Sequence, residues 1–77
     1  MQSGLRLYGK AECGLCEQAH ELLAELGLQA DSVNVEADDE LMAVYGLRIP
    51  VLADAAGREL GWPFDIEQLQ DWIEDGR

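Results

Sequence analysis

The chain has 77 residues, room for one domain with a small core. Five basic residues against 16 acidic ones give a net charge of −11, a field that repels nucleic acid and anionic membrane surfaces. No apolar run approaches the roughly 20 residues that span a bilayer, and residues 1–4 carry neither a basic nor an apolar leader stretch.

Residues 5–8 alternate apolar and mixed side chains over a short run and predict a first strand. A loop over 9–12 leads to a helix starting near Cys13, where Leu15, Ala19, Leu22, Leu23 and Leu26 recur at helical spacing and Gly27 supplies the stop. Val33 and Val35 mark a second strand over 29–36. Asp38 is an N-cap for a short helix carrying Leu41, Met42, Val44 and Tyr45, which Gly46 ends. Pro50 opens an apolar strand over 51–53, a position a proline tolerates. Residues 54–57 turn the chain, and 58–61 return it as a hairpin.

The last helix has the clearest start. Asp65 and Gln68 stand at capping-box spacing, and Phe64 and Leu69 occupy the two positions of a hydrophobic staple. Ile66, Leu69 and Ile73 supply its buried stripe, with Trp72 at the edge. The order is β-α-β-α-β-β-α, a single domain over residues 1–77 without repeat or linker.

Cys13 and Cys16 are the only cysteines, and they fall where the first strand gives way to the first helix. A Cys-x-x-Cys pair in a βαβ context reads as a thioredoxin-like redox site. Two cysteines without a visible leader suggest a reducing compartment, so a cytoplasmic protein is expected. Thiol–disulfide exchange needs a thiolate to attack and a second thiol near enough to resolve the mixed disulfide. Near the helix start, free N–H groups and the positive end of the dipole favour the Cys13 thiolate. Thiols so placed drop from about 8.5 to roughly 3.5–7.5. At about 100° per residue, Cys16 falls nearer the apolar stripe than Cys13 does. Cys13 is therefore the expected nucleophile and Cys16 the expected resolving thiol. Lys10 favours the thiolate, whereas Glu12 and Glu17 oppose it.

A metal reading competes. Cys13, Cys16 and His20 make a Cys-x-x-Cys-x-x-x-His pattern, and a carboxylate would complete a tetrahedron. The usual zinc frameworks bring a second ligand pair, and the chain has no other cysteine or histidine. Gly46-Leu47-Arg48-Ile49-Pro50 forms a second constellation, in which Pro50 holds Ile49 extended and ready to pair with an incoming peptide backbone. Only about 5–6% of X-Pro bonds are cis, so these residues alone favour trans.

Tyr8-Gly9-Lys10-x-x-Cys13-x-x-Cys16, followed later by Arg48-Ile49-Pro50-Val51, resembles the glutaredoxins of the thioredoxin superfamily. It is most similar to short bacterial glutaredoxin-like proteins, in which an Arg-Ile/Val-Pro-Val-Leu stretch and a Trp-Pro-Phe-Asp stretch follow the cysteines. Both stretches are present, at residues 48–52 and 62–65. The resemblance implies an α/β thioredoxin-like fold whose four-stranded mixed sheet runs in the order 2-1-3-4, with helices on both faces. It also implies that Ile49–Pro50 is cis and faces the cysteines. The implied substrate-binding residues are Lys10, Leu15, Arg48, Ile49 and Pro50. The implied partners are protein or low-molecular-weight disulfides, with glutathione or a thioredoxin-reductase-type protein as donor. No resident cofactor is expected, glutathione serving as a co-substrate; neither nucleic acid nor membrane is an expected partner.

The chain also departs from the glutaredoxin pattern. Gly14-Leu15 stands where glutaredoxins commonly have Pro-Tyr. Gly61-Trp62-Pro63-Phe64-Asp65 stands where they place a Gly-Gly pair before the turn that grips glutathione's terminal carboxylate. The dithiol chemistry follows from the resemblance; the identity of the donor does not. The alternative function is a thioredoxin-fold binding module whose cysteines are redox-silent or coordinate a metal or cluster. Arg6 lies in the strand expected at the centre of the sheet, with Asp38, Asp39 and Glu40 as its candidate partners. Glu17, Glu21 and Glu25 make an acidic ladder that reads as a solvated face, and Trp62 and Trp72 read as core packing.

Overall fold

A computed structural model describes residues 4–76 of the chain. Residues 1–3 and 77, which the single-domain and leader readings include, lie outside the described residues. The elements are β1 (Leu5–Gly9), α1 (Gly14–Glu25), β2 (Ala30–Asn34), a 3-10 turn (Val35–Ala37), α2 (Asp39–Tyr45), β3 (Val51–Ala53), β4 (Glu59–Gly61) and α3 (Ile66–Asp75). They form one four-stranded sheet in the order β2-β1-β3-β4. β1 runs parallel to β2 and antiparallel to β3, and β3 is antiparallel to β4. The mixed sheet and its 2-1-3-4 order are those the resemblance implied.

Side chains alternate between the two faces of a strand, and here the alternation sorts two cores. Leu5, Leu7 and Leu52 meet Ala19 and Leu23 of α1, Phe64 just before α3 and Leu69 within it. Tyr8, Val51 and Ala53 point the other way, where Val35 joins them and Leu41 and Tyr45 of α2 pack against them. Arg6 shares the second face with Tyr8. The expected covering is absent there: α2 is only 7 residues long, and Arg6 stays exposed. Among the described residues Arg6 makes no ion pair with Asp38, Asp39 or Glu40.

Three departures from the expected elements have local causes. The second strand stops at Asn34, because Asn34 Oδ1 accepts the Glu36 N–H at 2.9 Å and tightens the chain into the 3-10 turn. Val35 is consequently buried from that turn and not from a strand. On α1 the buried positions are Cys16, Ala19 and Leu23. Leu15 lies about 100° round the helix from Cys16 and is 45% exposed, so it is no part of the apolar stripe.

The helix ends follow the sequence closely. Gly27 takes φ 70°, the Gly27 N–H donates to Ala24 O at 3.0 Å, and the Leu28 N–H donates to Leu23 O at 2.9 Å. This is a Schellman stop, which needs the left-handed conformation that glycine adopts freely. Asp38 Oδ1 accepts the Glu40 N–H at 2.8 Å. Asp65 and Gln68 exchange both capping-box bonds, at 2.8 and 3.0 Å.

The hairpin between β3 and β4 is tied to α3 by Arg58. Its Nε donates to Asp54 Oδ2 at 2.8 Å, its Nη2 donates to Trp72 O at 2.8 Å, and its guanidinium lies 4.4 Å from the Trp72 ring centroid. Partial burial opposes charge on Asp54. The backbone N–H and guanidinium of Arg58 outweigh it and hold the carboxyl below the usual carboxylate range. A carboxyl depressed in the folded state stabilises the fold at neutral pH, and that contribution disappears as acid protonates it. Leu69 is 0% exposed at the centre of the larger core. Leu69→Ala should cost about 2–5 kcal/mol in urea unfolding, the usual range for emptying such a site.

Candidate functional site

The site is built where β1 stops. Residues 10–13 carry the chain from the central strand to α1, and Glu12 takes φ 57° in that loop. Cys13 is the N-cap, with extended backbone at φ −114° and ψ 110°. Its carbonyl accepts the Glu17 N–H at 3.1 Å and its Sγ accepts the Cys16 N–H at 3.2 Å. A sulfur thus occupies the position where a serine or aspartate oxygen normally caps a helix. Free N–H groups and the dipole at this end stabilise negative charge on it.

Cys13 and Cys16 are joined as a disulfide, with Cα atoms 5.2 Å apart. Cys13 is half-buried and Cys16 is only 5% exposed. Cys16 packs against the end of β1: a Cβ placed on Gly9 would stand 2.9 Å from Cys16 Sγ and 3.4 Å from its Cβ. Gly9 is therefore required for close approach, and its φ is not in the left-handed range.

A cavity of about 350 Å³ opens beside the two sulfurs. The end of β1 and its loop contribute Gly9, Lys10 and Glu12; α1 contributes both cysteines, Glu17 and His20; β2 contributes Ser32 and Asn34. His20 stands one helical turn beyond Cys16, and its Nε2 lies 3.2 Å from Ser32 Oγ. Among the described residues no group of three or more His, Cys, Asp or Glu side chains is arranged to hold a metal ion. Cys13, Cys16 and His20 therefore form no such group, even though Glu12 and Glu17 line the same cavity.

The fold does not bring all the predicted site residues to this cavity. Lys10 lines the cavity; Leu15, Arg48, Ile49 and Pro50 do not. Val51 faces Tyr8 across the sheet, so Pro50 lies at the same end of the sheet as Gly9. Ile49–Pro50 is cis, and Trp62–Pro63, about which the sequence was silent, is cis as well. Pro50 is buried, and its carbonyl accepts the Trp62 N–H at 3.1 Å. Trp62 packs its ring edge-on to Phe64 at 5.0 Å, as a core residue.

Arg48 is held in a side-chain network. Its Nη2 donates to Glu59 Oε1 at 3.1 Å, and the Tyr45 hydroxyl donates to Glu59 Oε2 at 2.5 Å. The guanidinium lies 5.4 Å from the Tyr45 ring centroid, and Tyr45 stacks on Tyr8 at 4.2 Å. The bond to Glu59, then burial, push the Tyr45 hydroxyl up to about 12. The same bond, joined by Arg48, outweighs burial and holds the Glu59 carboxyl below the usual range.

Sequence reasoning passed over Gly9, Ser32 and the cavity-facing role of Glu12 and Glu17. The signal for Gly9 was its place at the end of the strand before the cysteines. Ser32 was marked only by topology, since it stands opposite Leu7 on the parallel neighbour of β1.

Residues 4–74 match the model of the Glutaredoxin-like domain (DUF836). The X-ray structure of a structural-genomics target protein from X. campestris is 47% identical, with a TM-score of 0.87 over 92% of this chain and 96% of that one. Protein Ne2328 from Nitrosomonas europaea is 24% identical, with a TM-score of 0.79 over 94% of this chain and 92% of that one. A glutaredoxin from Archaeoglobus fulgidus is 17% identical, with a TM-score of 0.66 over 92% and 86% of the two chains. These last two likenesses are of fold. No curated protein matches the chain.

The packing of Cys16 on Gly9 makes a direct prediction. Gly9→Ala should lower the stability of the oxidised protein in urea by about 1–3 kcal/mol, the usual cost of overpacking. Gly14→Ala, where an added Cβ meets nothing within 4 Å, should cost far less.

Proposed function

This chain belongs to the glutaredoxin-like domain family, and from that membership we propose that it is a small thiol–disulfide oxidoreductase. One observation carries the proposal: a half-exposed cysteine caps α1 with its sulfur, within disulfide reach of a buried cysteine one helical turn on. In this reading the Cys13 thiolate attacks one sulfur of a substrate disulfide. A mixed disulfide forms on Cys13, and the first substrate thiolate leaves and takes up a proton. The Cys16 thiolate then attacks Cys13 Sγ and expels the second substrate thiolate. The protein ends as the Cys13–Cys16 disulfide, and two electrons have passed to the substrate.

The exposure difference supports this division of labour. Cys13 is accessible to an incoming disulfide, whereas Cys16 is shielded by Gly9 and the α1 stripe and can reach only a sulfur already on Cys13. Exposed Leu15, together with Ile49 and Pro50, is the proposed surface for a protein substrate. Lys10 and Arg48 are the cations nearest the site in chain position. Lys10 is the proposed thiolate stabiliser; Arg48 is already engaged by Glu59 and acts by holding the Ile49–Pro50 segment in place.

The proposed substrates are protein or small disulfides, and the proposed electron donor is glutathione or a thioredoxin-reductase-type protein. A cytoplasmic location is part of the same proposal. Among the described residues no helix is long and apolar enough to cross a membrane.

Trapping tests the assignment. Cys16→Ser should accumulate a mixed disulfide through Cys13 when mixed with a disulfide substrate, read by intact mass. Cys13→Ser should accumulate little, because its remaining thiol is shielded. If neither variant forms an adduct and the wild-type thiols are inert, the chain is instead a binding module on the same fold.

A further inference from the structure

The cavity beside the cysteines does not include the cis Ile49–Pro50 segment. It is bounded by the loop after β1, the first two turns of α1 and the second half of β2, and neither Ile49 nor Pro50 lines it. At about 350 Å³ it falls at the small end of ligand pockets, a size for a small molecule and not for a folded chain. Both cysteines are among its lining residues, so a disulfide held there lies beside Cys13, the more exposed of the two.

Its charge is what selects among small disulfides. The charged or titratable groups on its walls are Lys10, Glu12, Glu17 and His20, and the His20 ring is engaged with Ser32. Two carboxylates face one ammonium. Apolar walls from Leu7 and Val33 reduce screening, and a chain of net charge −11 adds to the same sign of field. An anionic ligand meets repulsion both on approach and in place.

We propose that this cavity is a binding site for low-molecular-weight disulfides of net positive charge, the disulfides of small aminothiols that carry an ammonium group and no carboxylate. The proposal rests on the dithiol reading above and names the substrate class for one side of that site. The ammonium end lies against Glu12 and Glu17 while one ligand sulfur meets Cys13. Cys13 forms a bond to that sulfur and the ligand S–S bond breaks, releasing the first aminothiol. Cys16 then displaces the second, so two aminothiols leave and the protein keeps the disulfide. The protein's own thiol pair supplies both electrons.

The test is single-turnover oxidation of the reduced protein by cystamine (cationic), hydroxyethyl disulfide (neutral) and glutathione disulfide (anionic). Each rate is divided by that of the same disulfide with free dithiothreitol, which removes intrinsic reactivity. The expected cystamine-to-glutathione ratio exceeds about tenfold at low salt, and it shrinks as ionic strength rises. Glu12→Gln/Glu17→Gln should bring the ratio to within about threefold of unity, with Glu17→Gln alone intermediate. Glu67→Gln/Asp71→Asn, which removes the same charge from exposed positions on α3, should leave the ratio above about tenfold. A wild-type ratio near unity or below overturns the proposal. So does an equal loss of preference in the α3 control, which would assign it to the field of the whole protein. Normal turnover of the neutral disulfide in either case keeps the dithiol reading intact; inertness towards all three overturns both.

Discussion

Everything at the site depends on how closely the end of the central strand lies against the first turn of α1. β1 is paired on both sides, by β2 and by β3, and its last residue stands opposite Asn34 of β2. Because that residue is Gly9, Cys16 Sγ can sit 2.9 Å from the point where any other residue would place its Cβ. This contact buries the second sulfur and leaves the first at the helix start, where backbone N–H groups face it. Two chemically identical residues acquire different environments from one missing methyl group. The helix terminus favours the anion on Cys13, and burial protects Cys16 from outside partners.

The two sides of the pair are built differently. On one side the Arg48-Ile49-Pro50 segment is held by a chain of contacts from Tyr8 through Tyr45 to Glu59 and back to Arg48, with the Trp62 N–H closing on Pro50. The Tyr45–Glu59 bond needs a protonated phenol and an ionised carboxyl. With the phenol raised to about 12 and the carboxyl depressed, that bond persists throughout the physiological range and fails only in strong acid or strong alkali. On the other side lies an open, mostly acidic cavity. Both cysteines belong to the lining of that cavity, and Arg48, Ile49 and Pro50 do not.

Much of this was legible in the sequence because the relevant signals are local. The capping box at Asp65 and Gln68, the Asp38 cap and the Gly27 stop all depend on residues within a few positions, and each forms as read. The deeper burial of Cys16 relative to Cys13 was legible in the same way, from helical spacing. What the sequence concealed depends on tertiary approach. Leu15 reads as one more apolar residue of α1, and only the direction of the helix on the sheet shows that it faces outward. Val35 reads as strand, yet Asn34 turns the chain before it. Ser32 and Gly9 become site residues only once β1 and β2 lie side by side, and Arg6 was expected to be covered by a helix too short to reach it.

A reversible Cys13–Cys16 redox couple, as opposed to a permanent staple, will show itself in a redox titration in glutathione buffers, quenched by alkylation and read by mass. One two-electron transition is expected, in which both cysteines change together, with a midpoint between about −270 and −120 mV, the span of Cys-x-x-Cys oxidoreductases. A pair that stays oxidised to below about −300 mV, as structural disulfides do, or that never closes at all, would contradict it.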